Sequence, residues 1–330
     1  VFTDGINLFG WQVFEGGIMG VALGVVLGSI LQLSVSAIGL IGLNFDYRFK
    51  IYWQNKGFRQ VLRLLPPRSI DQGMDYLVGI VETNLASRMA AGTLAAYNQA
   101  TVLHMAPINL IGVAISTAAF PKMTERIGQG RTDLFRSELQ KIVRVIVWLA
   151  MPVAAVTYFT RGYLVNFIKN GGDALMAGLL GTLVVAILFR SVYFIVARSF
   201  YAQQDTKTPL YISLFAIALN VALAVWFTMH LNMGAYGLGY AQSIVAVVEV
   251  VIMFVIMNHR IKGLIDVWIL RAFGRMAIAT VVTSIVCYSM VQLFQLQGED
   301  ASILATLPKF VLIASISGIT YLIASKYLNL

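Results

Sequence analysis

Residues 198–209 read RSFYAQQDTKTP, and what flanks them decides the fold. Residues 178–197 on one side form an almost unbroken apolar run, interrupted only by Arg190, and residues 210–228 form another. Between them Gln203, Gln204, Asp205, Thr206 and Lys207 make a short polar knot. Asp and Thr there offer side-chain oxygens to the orphan amides of a helix start. Thr208 suits an N-cap, and Pro209 suits a first turn, where no amide donor is needed. Two such helices joined by so tight a turn run antiparallel. They are too long and too apolar for a soluble core, which places the chain in a bilayer.

Composition agrees with that placement. The 330 residues are 58% hydrophobic and 12% charged, with mean hydropathy +0.78; soluble domains carry roughly 25% charge. A net charge of +9 would suggest nucleic acid in a soluble protein. Here Lys and Arg fall in alternate loops, so the positive-inside rule accounts for the charge and no nucleic-acid partner is expected. The single cysteine, Cys287, stands inside an apolar run and reads as a small core residue. Neither a disulfide framework nor a cysteine metal site is available to one thiol.

Taken in order, Phe2, Phe9, Trp11 and Phe14 read as interfacial, and residues 17–43 as a first span. In that span Gly20, Gly24 and Gly28 recur at four-residue spacing, which would let a neighbouring helix approach closely. Residues 44–70 combine Arg48, Lys50, Lys56, Arg59, Arg63 and Arg68 with apolar residues at helical spacing. They read as an amphipathic helix on anionic lipid, ended by Pro66–Pro67. Residues 69–89 form the least apolar span, carrying Asp71, Asp75, Glu82, Asn84 and Arg88. A helix this polar faces protein or a wet cavity on one side.

Residues 94–120 follow, bent at Pro107, with Asn98, Gln99, His104 and Asn109 as a polar stripe. Lys122, Arg126, Arg131, Arg136, Lys141 and Arg144 read as a basic loop, and residues 145–159 as the next span. The spans at 178–201, 210–228 and 236–257 are followed by a basic loop at 259–275. Spans at 268–293 and 304–328 end the chain, separated by an acidic loop with Glu299 and Asp300. The fold class expected is an all-α polytopic membrane protein of about nine spans. Alternation of the basic loops makes it multi-pass with a cytoplasmic C-terminus.

The polar residues at membrane depth are the candidate sites, because each is costly there unless it is paired or functional. Glu82 lies near mid-span; it either binds a cation, carries a proton, or is a structural partner. Asn220 and Gln242 offer carbonyl oxygens on two later spans. Arg190 is also mid-span, and it suits either bidentate phosphate binding or a structural pairing. Arg88 lies at the end of its helix and could snorkel. No phosphate loop, nucleophile elbow or His/Cys ligand spacing is visible, so the sequence offers no enzyme.

Two motifs carry a resemblance. Arg198 with the following aromatic residues and Ala, then Gln-Asp-Thr-Lys-Thr-Pro and a new helix, resembles the MurJ/MviN family of lipid II flippases. So does NLASRMAAGTLAAYNQA (residues 84–100), which leads into a Pro-containing helix and GVAISTAAFPKMTE (residues 112–125). Arg198, Asp205, Thr206, Thr208 and Pro209 are the motif positions. The family belongs to the multidrug, oligosaccharidyl-lipid and polysaccharide exporters. The resemblance implies a partial exporter fold lacking most of the N-terminal lobe. Residues 1–43 would close that lobe, 44–70 would be a cytoplasmic linker, 71–258 the C-terminal lobe, and 259–330 two additional helices.

It also implies the activity. Undecaprenyl-diphosphate-linked peptidoglycan precursor would cross the bacterial inner membrane by alternating access, and the last two helices would hold the lipid tail. The head-group cavity would draw on Arg190, Arg88, Asn84, Asn98 and Gln99. Glu82, Asn220 and Gln242 would form a cation or proton site, with sodium at Glu82 and Asn220 as in some members. Anionic lipids and other cell-wall synthesis proteins would be partners. Two departures stand out: Ala224 replaces a second acid, and Thr101–Val102 replaces an Asp-Arg pair. The alternatives are an exporter of another lipid-linked oligosaccharide or a drug, or a non-transporting scaffold.

Overall fold

The computed structural model describes residues 6–8, 11–14, 18–39, 53–296 and 303–330. Phe2, Phe9, Arg48, Lys50, Glu299 and Asp300 lie outside the described residues. The chain divides into two compact units, residues 1–59 and 60–330.

The first unit opens with an antiparallel hairpin, β1 (Ile6–Leu8) and β2 (Trp11–Phe14), in which Leu8 faces Trp11. This small sheet is the one departure from an all-α reading among the described residues. Helix α1 (Ile18–Ile38) follows and is apolar. Among the described residues, a methyl at Gly28 would meet no atom within 4 Å.

Helix α2 (Lys56–Ser87) runs through Pro66 and Pro67, where the sequence suggested an end. Each proline removes one amide donor and crowds the carbonyl four residues back. Leu62 and Leu65 beside them are exposed. The second unit then continues with α3 (Thr93–Pro107), a π-helical stretch (Ile108–Val113) and α4 (Ala114–Gly128), together one 36-residue apolar rod. Pro107 cannot donate to the preceding turn, and the wider turn begins at the next residue. Helix α5 (Thr132–Phe159) takes up most of the expected basic loop: Lys122 and Arg126 lie on α4, and Arg136, Lys141 and Arg144 on α5.

A short helix α6 (Arg161–Asn166) follows. Next come α7 (Ala174–Ala202), α8 (Lys207–Val225) with a π-helical end (Trp226–His230), α9 (Ala235–Arg260), α10 (Val267–Leu293) and α11 (Ile303–Tyr327). Among the described residues, seven helices are long and apolar enough to cross a membrane, and α1 is a shorter apolar helix. The polar α2 stands where the remaining expected span was read.

Helix α7 is the hub. It packs on α9 above all, and on α5, α3, the first π-helical stretch and α4. Close approach is bought by small residues: a Cβ on Gly112 would stand 2.6 Å from the Ser191 Cα. Helix α8 leaves its tight turn to lie mainly along α9, touching α7 little. Helices α10 and α11 pair with each other and lean on α5.

Two apolar clusters fill the bundle at opposite ends of α7. Phe135, Leu139, Phe200, Met253 and Met257 surround its C-terminal end. Leu85, Tyr97, Leu179, Leu183 and Leu238 surround its N-terminal end. The basic segments gather at the first of these ends. Arg136 Nη1 donates to the Lys262 carbonyl (3.1 Å), Gln60 Nε2 to Gln204 Oε1 (2.7 Å), and Lys122 pairs with Glu138 (2.9 Å). Cys287 is buried beside Tyr163 and Ile313, as a core residue.

Candidate functional site

The polar knot that opened the reading is a capping device. Asp205 Oδ1 accepts from the amides of Lys207 and Thr208, each at 3.0 Å, and Oδ2 accepts from the Thr208 hydroxyl at 2.6 Å. The capping oxygen therefore belongs to Asp205, and not to Thr208 as its N-cap preference suggested. Thr206 takes the N-cap position by backbone without a side-chain bond, and Pro209 sits in the first turn as expected. Arg260, at the end of α9, pairs with Asp205 at 2.6 Å and donates to Thr208 Oγ1 at 2.8 Å. Burial raises the Asp205 pKa, but bonds from the Thr208 hydroxyl and amide and from Arg260 outweigh it, leaving the carboxyl below its ordinary value. Arg198 turns to the π-helical region, donating to the Val113 carbonyl at 3.2 Å and to Ser116 Oγ.

Glu82 is buried, at 4% exposure, near the end of α2. Its carboxylate accepts the Tyr97 hydroxyl at 2.8 Å and the Gln242 amide nitrogen at 2.9 and 3.1 Å. Gln242 Nε2 also donates to Tyr97 Oη at 3.0 Å, closing a three-residue network between α2, α3 and α9. Gln242 thus presents its NH2 group, where the sequence suggested a carbonyl. Asn220 is buried on α8 beside the same carboxylate, and its Oδ1 has no hydrogen-bond partner.

About two turns along α9 from Gln242, Glu249 Oε2 lies 3.4 Å from Arg190 Nη1 on α7. Glu249 is 3% exposed, and the guanidinium also stands over the Tyr193 ring, 5.7 Å from its centroid. A void of about 20 Å³ beside this pair is lined by Arg190, Glu249, Ser213 and Asn220 among others. That is room for about one water. The four remaining cavity candidates are all exposed: Asn84 on the last turn of α2, Arg88 just beyond its end, and Asn98 and Gln99 on the first turns of α3. Val102, where the resemblance expects an arginine, is exposed on α3 at 67%.

Sequence reading missed Tyr97 and Glu249. An acid in AQSIVAVVEVVIMF, the middle of an apolar span, was the available signal for Glu249. Tyr97 had none, since a tyrosine fifteen residues from an acid is no pattern.

A hard cation such as sodium needs several inward-facing oxygens with free lone pairs. At Glu82 both carboxylate oxygens already accept hydrogens, Gln242 offers nitrogen, and Ala224 is buried where a second acid was expected. Among the described residues no group of three or more His, Cys, Asp or Glu side chains is placed to hold a metal. Asn220 Oδ1 is the one orphan acceptor of the set. The residues present do not fit a sodium site.

A second feature is a cleft of about 540 Å³ between α3, α5 and α11. Leu103, Leu110, Leu149, Val153, Phe310 and Leu322 line it, so it is almost wholly apolar. Helix α10 contributes only Thr283, so this cleft is not the one expected between the last two helices.

The family model described as "Lipid II flippase MurJ" matches residues 5–309. The chain is 23% identical over 253 residues to "Probable lipid II flippase MurJ" of Borreliella burgdorferi, covering 74% of this chain and 50% of that protein. It is 30% identical over 207 residues to "Lipid II flippase MurJ" of Burkholderia cenocepacia, covering 58% of this chain and 39% of that protein. The chain thus spans about half the length of the curated relatives it matches. Among solved structures, "Lipid II flippase MurJ, inward closed conformation" superposes with TM-score 0.66 at 20% identity, covering 92% of this chain and 61% of the other. An outward-facing multidrug transporter of the MATE family superposes with TM-score 0.52 at 15% identity, covering 81% of this chain and 65% of the other. The first shares this fold closely and the second more distantly; a multi-pass helical membrane chain matched by the family model across most of its length belongs to the lipid II flippase MurJ family.

Proposed function

We propose that this chain serves translocation of the undecaprenyl-diphosphate-linked peptidoglycan precursor across the bacterial inner membrane, by alternating access. The observation that carries the reading is the family match over residues 5–309. The exposed polar strip Asn84, Arg88, Asn98 and Gln99 faces the sugar-diphosphate head in this reading, and the apolar cleft along α11 receives the lipid tail. The Glu82–Tyr97–Gln242 network is the centre through which a coupling proton acts, since it ties three helices to one buried carboxylate. The end of the bundle that gathers Arg131, Arg136, Arg260 and Lys262 is cytoplasmic, and the C-terminus with it. Anionic lipids attract that basic end, and other cell-wall synthesis proteins are natural partners for a precursor flippase.

The test is complementation. Cells depleted of their own lipid II flippase receive the full-length gene, and precursor accumulation is followed. Relief of accumulation is expected; failure of a well-expressed protein would count against lipid II as cargo. One observation favours a second reading. With Val102 in place of the expected arginine, a scaffold that keeps the fold without transport would express normally and leave accumulation unchanged.

A further inference from the structure

We infer that Arg190 is a tethered counter-ion, holding the position that an exchangeable monovalent cation would otherwise take between Glu82, Asn220 and Glu249. The inference rests on reading the Glu82 network as the ion-responsive centre. Two buried carboxylates, Glu82 on α2 and Glu249 on α9, lie on either side of Asn220. Carboxylates at this depth require compensation. Glu249 receives it from the Arg190 guanidinium at 3.4 Å, and the charge of Arg190 acts on Glu82 as well. What charge remains on Glu82 is met by the Tyr97 hydroxyl and the Gln242 amide.

The space that a small cation could enter is the void of about 20 Å³, and Arg190 lines it together with Asn220, Ser213 and Glu249. A free cation placed there would sit against a guanidinium in a poorly screened setting, where like charges repel strongly. The void instead suits a neutral water, with Asn220 Oδ1 as one acceptor and Arg190 as a donor. Where the second acid of a sodium site would stand, α8 carries Ala224. The second acid of this bundle comes from α9 and brings its own cation from α7. Sodium is replaced by a side chain that cannot dissociate.

The experiment is thermal unfolding of the purified full-length protein in detergent, from 1 to 100 mM sodium chloride at constant ionic strength held with choline chloride. Wild type is expected to melt at the same temperature throughout. Arg190→Gln removes the fixed cation facing Glu249 and Asn220, and should gain a saturable, sodium-specific rise of about 5 °C, the size expected when ligand exceeds its dissociation constant a hundredfold. Saturable stabilisation of wild type by sodium overturns the inference, and so does a folded Arg190→Gln that ignores sodium. Should Arg190→Gln fail to fold, Arg190→Met removes the charge while keeping Glu249 and an apolar stem of similar length. The same gain is expected of it, and its absence overturns the inference equally. The readout is binding to purified protein, so failed complementation would sink the flippase reading without touching this one.

Discussion

Arg260, in the last turn of α9, lies 2.6 Å from the Asp205 carboxylate that starts α8, and its guanidinium stands 5.1 Å from the centroid of Phe200 on α7. One side chain thus joins three helices at the basic end of the bundle. The carboxylate it meets is already the cap of α8, so the ion pair and the cap are one structure.

This has a pH signature. The Asp205 carboxyl is held below its ordinary value, so its contribution is fully present above that value and is lost as pH falls through the lower folded-state value. Asp205→Asn should cost about 1 kcal/mol at pH 7, the worth of a cap with a half-exposed pair. The gap in melting temperature between variant and wild type should narrow below about pH 4. A gap that stays constant down to pH 3 would show that the charge of Asp205 contributes nothing.

Glu82→Gln keeps the shape of the buried network and removes its charge. In complementation it should abolish growth support while membrane abundance stays near wild type. Tyr97→Phe removes one donor to the same carboxylate and should cost about 1–2 kcal/mol of stability, with activity reduced but not abolished. A collapse of abundance in Glu82→Gln would make the network structural only.

Gly112 is pressed against the α7 backbone at Ser191, where a methyl group would stand 2.6 Å from a Cα. Backbone cannot turn aside as a side chain can. Gly112→Ala should destabilise by roughly 2–3 kcal/mol, as overpacking does. Gly128→Ala, where a methyl would meet no atom within 4 Å, should be neutral or mildly stabilising. Equal melting temperatures for the two variants would refute the packing argument.

Cysteines at Arg131 and Lys262 should be shielded from an impermeant thiol reagent in intact cells, and one at Asn170 should label. Arg131 and Lys262 lie at the basic end, while Asn170 follows α6 at the other end of α7. The native Cys287 is buried and leaves the background low. Labelling of all three would overturn the assigned orientation.

Much of this was legible along the chain because it is local. The RSFYAQQDTKTP knot announced a turn between two long helices, and the turn is there, though Asp205 takes the role expected of Thr208. Glu82, Asn220 and Gln242 were found as polar residues in apolar spans, and the fold does bring Glu82 and Gln242 together. Partners between distant segments were not legible: Arg190 and Glu249 are separated by 59 positions, and no periodicity links them. Pro66–Pro67 misled for a different reason. A proline pair disfavours a helix locally, but surrounding turns on both sides can carry it through.

The π-helical stretch after Pro107 has a consequence farther along the rod. At 3.6 residues per turn, the inward face set by Tyr97, His104, Ile108 and Ile111 would continue to positions 115 and 122. The residues buried in α4 are instead Ser116 and Met123. One wide turn has slipped the phase of everything beyond it by a single residue. Lys122 is thereby spared the core and left outside to meet Glu138 at 2.9 Å, while Met123 goes in. Deleting any one residue between 108 and 113 would restore a regular helix with Met123 still facing inward; regularising the helix at its full length would instead turn the lysine inward.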